Sequence, residues 1–188
     1  MDIKIEVSAR HVHLSEKDMI LLFGNEKLYK VKDLSQPGQF VYNKRVTVVG
    51  GKGKIENVAI LGPCRNNTQV EISLTDSIKL GIKPVIRESG DLEGSSGCKI
   101  IGDFGEVNLN EGVIVAKRHI HMNPKDAQIL NVRNGEIRKV KIKSKNRSLI
   151  FDDVVMRVDD NFSLAMHVDT DEANAFGYTA YEVGKMLD

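Results

Sequence analysis

The chain has 188 residues, 41% of them hydrophobic and 28% charged, with a formal net charge of +1. That length allows one large domain or two small ones. The near-neutral balance excludes a global field that would draw the protein to nucleic acid or an anionic membrane, so a phosphate-bearing ligand must be held by a local site. No apolar run approaches the length of a membrane span. Cys64 and Cys98 stand far apart without C-x-x-C spacing, which predicts free thiols in a reducing, cytoplasmic setting.

From the N-terminus, Ile3, Ile5 and Val7 alternate with polar residues, the period of a strand, and no signal-peptide core is present. Ser15, with Asp18 three residues on, predicts a capped helix over Met19–Phe23 that closes at Gly24. Short β-like segments follow at Arg45–Val49, Val58–Leu61 and Gln69–Ser73, separated by Gly, Asn or Asp turns. A Gly-rich stretch, 90–106, reads as a connection between two halves, 1–89 and 107–188. Further β-like segments lie at Gly112–Val115, Ile137–Ile142 and Val154–Val158, and Asn123 with Pro124 predicts a second capped helix over Ala127–Leu130. Many short strands with brief helices predict a mainly β fold of compact barrels or sandwiches. The basic run Arg138–Arg147 alternates with Val140 and Ile142, a strand with a solvated face and not a nucleic-acid patch.

An internal repeat carries the most information. Arg10-His11-Val12-His13-Leu14-Ser15 reappears as Arg118-His119-Ile120-His121-Met122-Asn123. Downstream, Glu71 and His167 each stand ten residues before a glycine, Gly81 and Gly177, and each leads into an acidic-capped short helix. Two related halves are therefore expected, each supplying a His-x-His pair and one later donor.

Side chains alternate across a strand, so both histidines of His-x-His leave the same face and can reach one ion at about 2.0–2.1 Å. Adding Glu71 or His167 gives three protein donors and leaves a coordination position for substrate or water, the mark of a catalytic metal. All five histidines are used. Imidazole with one carboxylate favours zinc, although iron, nickel or cobalt suit the same donors. Cys64 lacks a paired cysteine and reads as a small buried residue. Metal-dependent hydrolase barrels need a longer chain of alternating strands and helices, and a cupin site would place its glutamate much nearer to His-x-His than Glu71 stands. Arg10 and Arg118 leave the opposite strand face, either to meet an anionic ligand or to form ion pairs. The loop Gly50-Gly51-Lys52-Gly53-Lys54 is basic, but its spacing is not that of a P-loop.

The two Arg-His-x-His units, Leu61-Gly62-Pro63-Cys64-Arg65, Thr68-Gln69-Val70-Glu71-Ile72-Ser73 and His167-Val168-Asp169-Thr170-Asp171-Glu172-Ala173-Asn174 together resemble the phosphate propanoyltransferase family, the phosphotransacylases associated with bacterial microcompartments. The likeness runs from Val7 to about Gly184. It implies two interwoven β-barrel domains that exchange strands, with an active site between them. It implies one zinc on His11, His13 and Glu71, open to the acyl carrier's sulfur, and a second on His119, His121 and His167, completed by waters. Arg65 matches the family's phosphate-contacting arginine, and Ser8, Ala9, Arg10, Lys52 and Asn174 match its coenzyme A contacts. Ala59 stands where a basic residue is expected against the nucleotide end of coenzyme A, so the resemblance implies either lower affinity for coenzyme A or a replacement contact from Lys54. Only seven residues precede Ser8, which implies a cytosolic member without the encapsulation extension. A homodimer is in keeping with the resemblance. The expected reaction is reversible transfer of a propionyl or acetyl group between coenzyme A and inorganic phosphate, as in propanediol degradation. The competing readings are a two-metal hydrolase of a thioester or phosphate ester, and a metal-stabilised binding module without catalysis.

Overall fold

Period-two alternation of Val, Ile and Leu with polar residues fills most of the chain, and the computed structural model, which describes residues 1–83 and 85–187, turns those segments into strands. The first half carries β1 (Ile3–Val7), β2 (His11–Ser15), α1 (Glu16–Phe23), β3 (Lys30–Asp33), β4 (Phe40–Val49), β5 (Lys54–Arg65), β6 (Gln69–Glu71), α2 (Leu74–Leu80), β7 (Ile86–Arg87) and β8 (Ser96–Ile101). Then come β9 (Glu106–Ala116), β10 (His119–Met122), α3 (Pro124–Leu130), β11 (Ile137–Ile142), β12 (Leu149–Val158), β13 (Ala165–Val168), α4 (Thr170–Phe176) and β14 (Val183–Met186). The Gly-rich stretch thus contains a strand, β8, with Cys98 and Ile100 buried.

The strands close into two six-stranded barrels. One runs β1–β13–β10–β12–β11–β14 and back to β1. The other follows from its pairings: β4 with β5, β5 with β2, β2 with β6, β6 with β9, β9 with β8, and β8 with β4. Strands β3 and β7 extend this sheet beside β4 and β9. Closure leaves a barrel without open edges.

The two barrels repeat one pattern of direction. β2 lies parallel to β5 and antiparallel to β6, as β10 lies parallel to β12 and antiparallel to β13. β6 then runs parallel to β9, and β13 runs parallel to β1. The strand that precedes each His-x-His segment therefore sits in the other half's barrel. The chain accordingly divides into one compact unit from Ala9 to Ala116 and another made of Met1–Ser8 with the chain from Lys117 onward.

Each unit has its own core. Val12, Leu14, Val46, Val48, Ile60, Val70 and Ile100 pack in the first, and Ile3, Ile5, Ile120, Met122, Val140, Met156 and Met166 in the second. The helices are short and firmly ended. Ser15 and Asn123 cap α1 and α3 as their sequences predict, by accepting from the backbone N–H of Asp18 and Asp126. Ser73, which sequence reading assigned to a strand, instead caps α2: its hydroxyl accepts from Asp76 N–H and turns the chain after Glu71. Both α2 and α4 stop at a glycine with φ of 68°, Gly81 and Gly177, a conformation that costs residues with a Cβ.

Candidate metal centres

Val12 and Leu14 point into the first core, so alternation sends His11 and His13 to the other face of β2. Antiparallel pairing sets His11 opposite Glu71, and His13 opposite Gln69. The result is a buried triad. His11 Nε2 lies 3.5 Å from Glu71 Oε2, His13 Nε2 lies 4.0 Å from Glu71 Oε1, and the two rings meet edge to face at 4.9 Å. His11 Nδ1–H donates to the Ala9 carbonyl at 2.8 Å, which fixes the tautomer and frees Nε2 for an ion.

The repeat builds a second triad by the same register. Ile120 and Met122 enter the core, His119 and His121 leave the opposite face of β10, and His119 pairs with His167 on β13. Ring centroids are 4.5 Å apart for His119 and His121, 5.2 Å for His119 and His167, and 4.8 Å for His121 and His167. His119 Nδ1–H donates to the Lys117 carbonyl at 2.7 Å, the counterpart of the His11 bond. In each triad the potential donor atoms all lie within 4.8 Å of one another. Two clusters of converging imidazoles, one completed by a carboxylate, form donor sets that fit a divalent transition metal.

Electrostatics favour that use of the first triad. Burial disfavours charge on Glu71, yet the facing imidazoles outweigh it and hold the carboxyl well below its usual range. His13 is lowered to about 3, chiefly by burial and then by the His11 and Arg65 charges, so it presents a neutral imidazole. Burial opposes charge on His11 too, but Glu71 prevails and raises it.

Two residues not foreseen in the sequence hold Glu71 in place. Gln69 Nε2 donates to Glu71 Oε1 at 2.5 Å, and Ser89 Oγ donates to the same oxygen at 2.9 Å. Ser89 Oγ accepts from Arg65 Nη1 at 2.9 Å, and Gly90 N–H donates to Gln69 Oε1 at 2.8 Å. Gln69 was legible in principle, since it lies two residues before Glu71 on one strand face; Ser89 carries no local signal. Arg65, at the end of β5, is thereby linked to the triad through one hydroxyl. It also lines an open cavity of roughly 750 Å³ with Cys64, Asn67, Thr68 and Leu109.

The remaining predicted residues are dispersed. Ser8 N–H donates to the Val168 carbonyl at 2.8 Å, and Ala9 supplies the carbonyl that orients His11. Arg10 Nε bonds Asp76 Oδ2 at 2.8 Å, and Arg118 Nε lies 2.8 Å from Glu172 Oε1 with its guanidinium 4.7 Å over the Phe151 ring. Both arginines form ion pairs, one of the two roles expected of them. Lys52 N–H bonds the Leu80 carbonyl, and the lysine stem passes against Gly81. Asn174 lies on α4, its carbonyl accepting from Gly177. Ala59 pairs with both His11 and Arg45, and Lys54 is ion-paired to Glu56.

Closed six-stranded barrels, each bearing a His-x-His strand beside a third donor, define a β-barrel protein with paired candidate metal centres. Residues 4–179 match the family described as Phosphate propanoyltransferase. The chain belongs to that family, whose members are acyltransferases. It is 54% identical over 188 residues to the phosphate propanoyltransferase of Alkaliphilus metalliredigens, covering 100% of this chain and 88% of the relative. The Clostridioides difficile relative is 56% identical over 186 residues, 98% of this chain and 88% of its own. The Thermotoga maritima relative is 56% identical over 172 residues, 91% and 82% respectively. Among the described residues no helix is long and apolar enough to cross a membrane.

Proposed function

We propose that the protein is a zinc-dependent phosphate acyltransferase, moving a propionyl or acetyl group reversibly between coenzyme A and inorganic phosphate. The observation that carries this reading is the placement of Arg65 one serine hydroxyl away from the His11–His13–Glu71 triad, in a chain of this family. Zinc held by His11, His13 and Glu71 would supply a Lewis acid for the thioester carbonyl and a partner for the thiolate.

The protein's own groups do the rest. The Arg65 guanidinium offers a planar fork to phosphate, a geometry that lysine lacks. One of its nitrogens rests on Ser89, which limits its swing, and the residue lines the cavity. A phosphate oxygen attacks the thioester carbon, the carbon–sulfur bond breaks, the coenzyme A thiolate leaves, and the proton shed by hydrogen phosphate as it becomes acyl phosphate passes through solvent to that sulfur. No enzyme nucleophile is needed. Cys64 lines the same cavity, but burial raises its thiol and keeps it protonated at neutral pH, which argues against an acyl-cysteine intermediate. Holding phosphate at a fixed angle to the thioester converts an encounter into a near-unimolecular step, worth up to about 7–11 kcal/mol in ideal cases. Ser8, Ala9, Arg10, Lys52 and Asn174 are proposed as coenzyme A contacts on the motif resemblance alone. His119, His121 and His167 are proposed to hold the second zinc.

Release of coenzyme A from propionyl-CoA, followed with and without added phosphate, tests the reading. Transfer requires release to depend on phosphate and acyl phosphate to accumulate stoichiometrically. Equal release without phosphate would establish a thioester hydrolase instead.

A further inference from the structure

The repeat of metal donors does not account for Arg157. On β12, Val154 and Met156 enter the second core, so alternation sends Arg157 out of the opposite face, the face that carries the second triad. Its register partner on the parallel neighbour β10 is His121, whose partner on β13 is Ala165. The matching row of the first barrel is Leu61, His13 and Gln69. Where the first barrel sets a leucine beside the second histidine of its pair, the second barrel sets a guanidinium.

Phe162 joins Arg157 to that histidine. Its ring centroid lies 4.1 Å from that of His121, and the Arg157 guanidinium carbon lies 5.8 Å from the same Phe162 centroid. An aromatic face steadies a guanidinium but supplies no counter-charge. Arg10, Arg118 and Arg138 have carboxylate partners at 2.8, 2.8 and 2.7 Å, whereas among the described residues Arg157 forms no ion pair. The closest acid in sequence, Asp159, accepts from the backbone N–H and the Nδ2 of Asn161 instead, at 2.9 and 3.0 Å. Glu6, beside His167, stands three strands away in the barrel and is paired with Lys4. Arg157 is only half-exposed, so its charge is costly without an anion.

Resting on the acyl-transfer reading and its second zinc, we propose that Arg157 is a second substrate-contacting arginine, donating to a phosphate oxyanion at the His119–His121–His167 centre. Three imidazoles leave a divalent ion its full charge and leave it open to further ligands, and the guanidinium beside them adds to that positive field. A phosphate group meets both demands, and the planar fork of arginine suits two of its oxygens at once. Two substrates carry such a group: inorganic phosphate, and coenzyme A through its nucleotide phosphates.

The test compares zinc-loaded wild type with Arg157→Gln, which removes the charge, and Arg157→Lys, which keeps the charge and loses the fork. Binding of inorganic phosphate is followed by phosphorus NMR, KM is measured separately for phosphate and for propionyl-CoA, and zinc is counted by elemental analysis. Arg157→Gln should keep its zinc and weaken one of the two substrates about tenfold or more, with Arg157→Lys recovering part of the loss. A defect confined to phosphate assigns the contact to inorganic phosphate. A raised KM for propionyl-CoA that vanishes with propionyl-pantetheine, which lacks the nucleotide, assigns it to the nucleotide phosphates. In the first case, His119→Ala should shrink the effect of Arg157→Gln on phosphate binding. Unchanged binding and constants in zinc-replete Arg157→Gln, or a loss of zinc that explains the whole defect, would overturn the role of Arg157 and leave acyl transfer standing. Wild-type release of coenzyme A that is indifferent to phosphate would overturn the transfer reading and this contact together.

Discussion

Arg10 Nε lies 2.8 Å from Asp76 Oδ2, tying the residue before one His-x-His pair to the third residue of the helix that follows Glu71. The second half repeats the tie with Arg118 and Glu172, at the same position of the helix after His167. Asp76 and Glu172 also accept from the N-cap backbones of those helices, Ser73 and Asp169, in reciprocal capping pairs. Each acid thereby joins the strand bearing two donors to the turn just beyond the third. Asp76→Ala should lower stability by about 1–2 kcal/mol, read from urea unfolding, chiefly through the lost cap. Arg10→Ala should cost less than about 1 kcal/mol, because its side chain is 42% exposed and its charge is screened.

Glu71→Gln keeps the shape of the side chain but removes the charge that attracts a metal. Elemental analysis should find bound zinc falling from two equivalents toward one, with acyl transfer lost along with the first ion. Retention of both ions would show that the carboxylate is not a donor.

Arg65→Lys keeps a positive charge and loses the fork. The KM for phosphate should rise at least about tenfold, an effect of about 1.4 kcal/mol, while the KM for acyl-CoA changes little. Equal effects on both constants would mean that Arg65 acts on the architecture of the site as a whole.

Acid should weaken the metal-free protein through His13. An unfolded histidine titrates near 6.5, and native His13 is lowered to about 3, so between those values the unfolded chain binds a proton that the native chain refuses. Stability falls as pH drops through that window, by up to about 1.4 kcal/mol per unit from this group. His11 has the opposite sign: its pKa is raised, so its contribution is present below about 6.5 and lost as pH rises through the native value. Urea midpoints of chelator-treated protein from pH 7 to 4 should fall more steeply for wild type than for His13→Gln. Parallel slopes would mean that His13 is protonated in the native state.

The two triads were legible as clusters because their members obey short-range rules. His-x-His shares a strand face, and a ligand set repeated with its caps shows up at any distance along the chain. Ser15 and Asn123 announced helix starts in the same way. Ser89 was not legible. It meets Glu71 only because β7, β9 and β6 lie side by side in a particular register, and register between distant strands leaves no mark in local periodicity. The same blindness applies to Ser73, where a β-like run gives way to a capping hydroxyl that only its three-residue reach to Asp76 reveals.

The exchanged strands have a consequence for how the chain must be assembled. β1 is synthesised ahead of both its strand partners, gaining the first only with β13 and the second only with β14. The barrel it completes cannot seal while the ribosome is still at work on the intervening sequence. β9 faces no such wait, since β6 and β8 precede it. The earlier-made ring can close first, and the other must thread its oldest segment into its newest. Long-range closure of that kind slows folding, and it makes the few residues of β1 a condition for order in the much later β13 and β14.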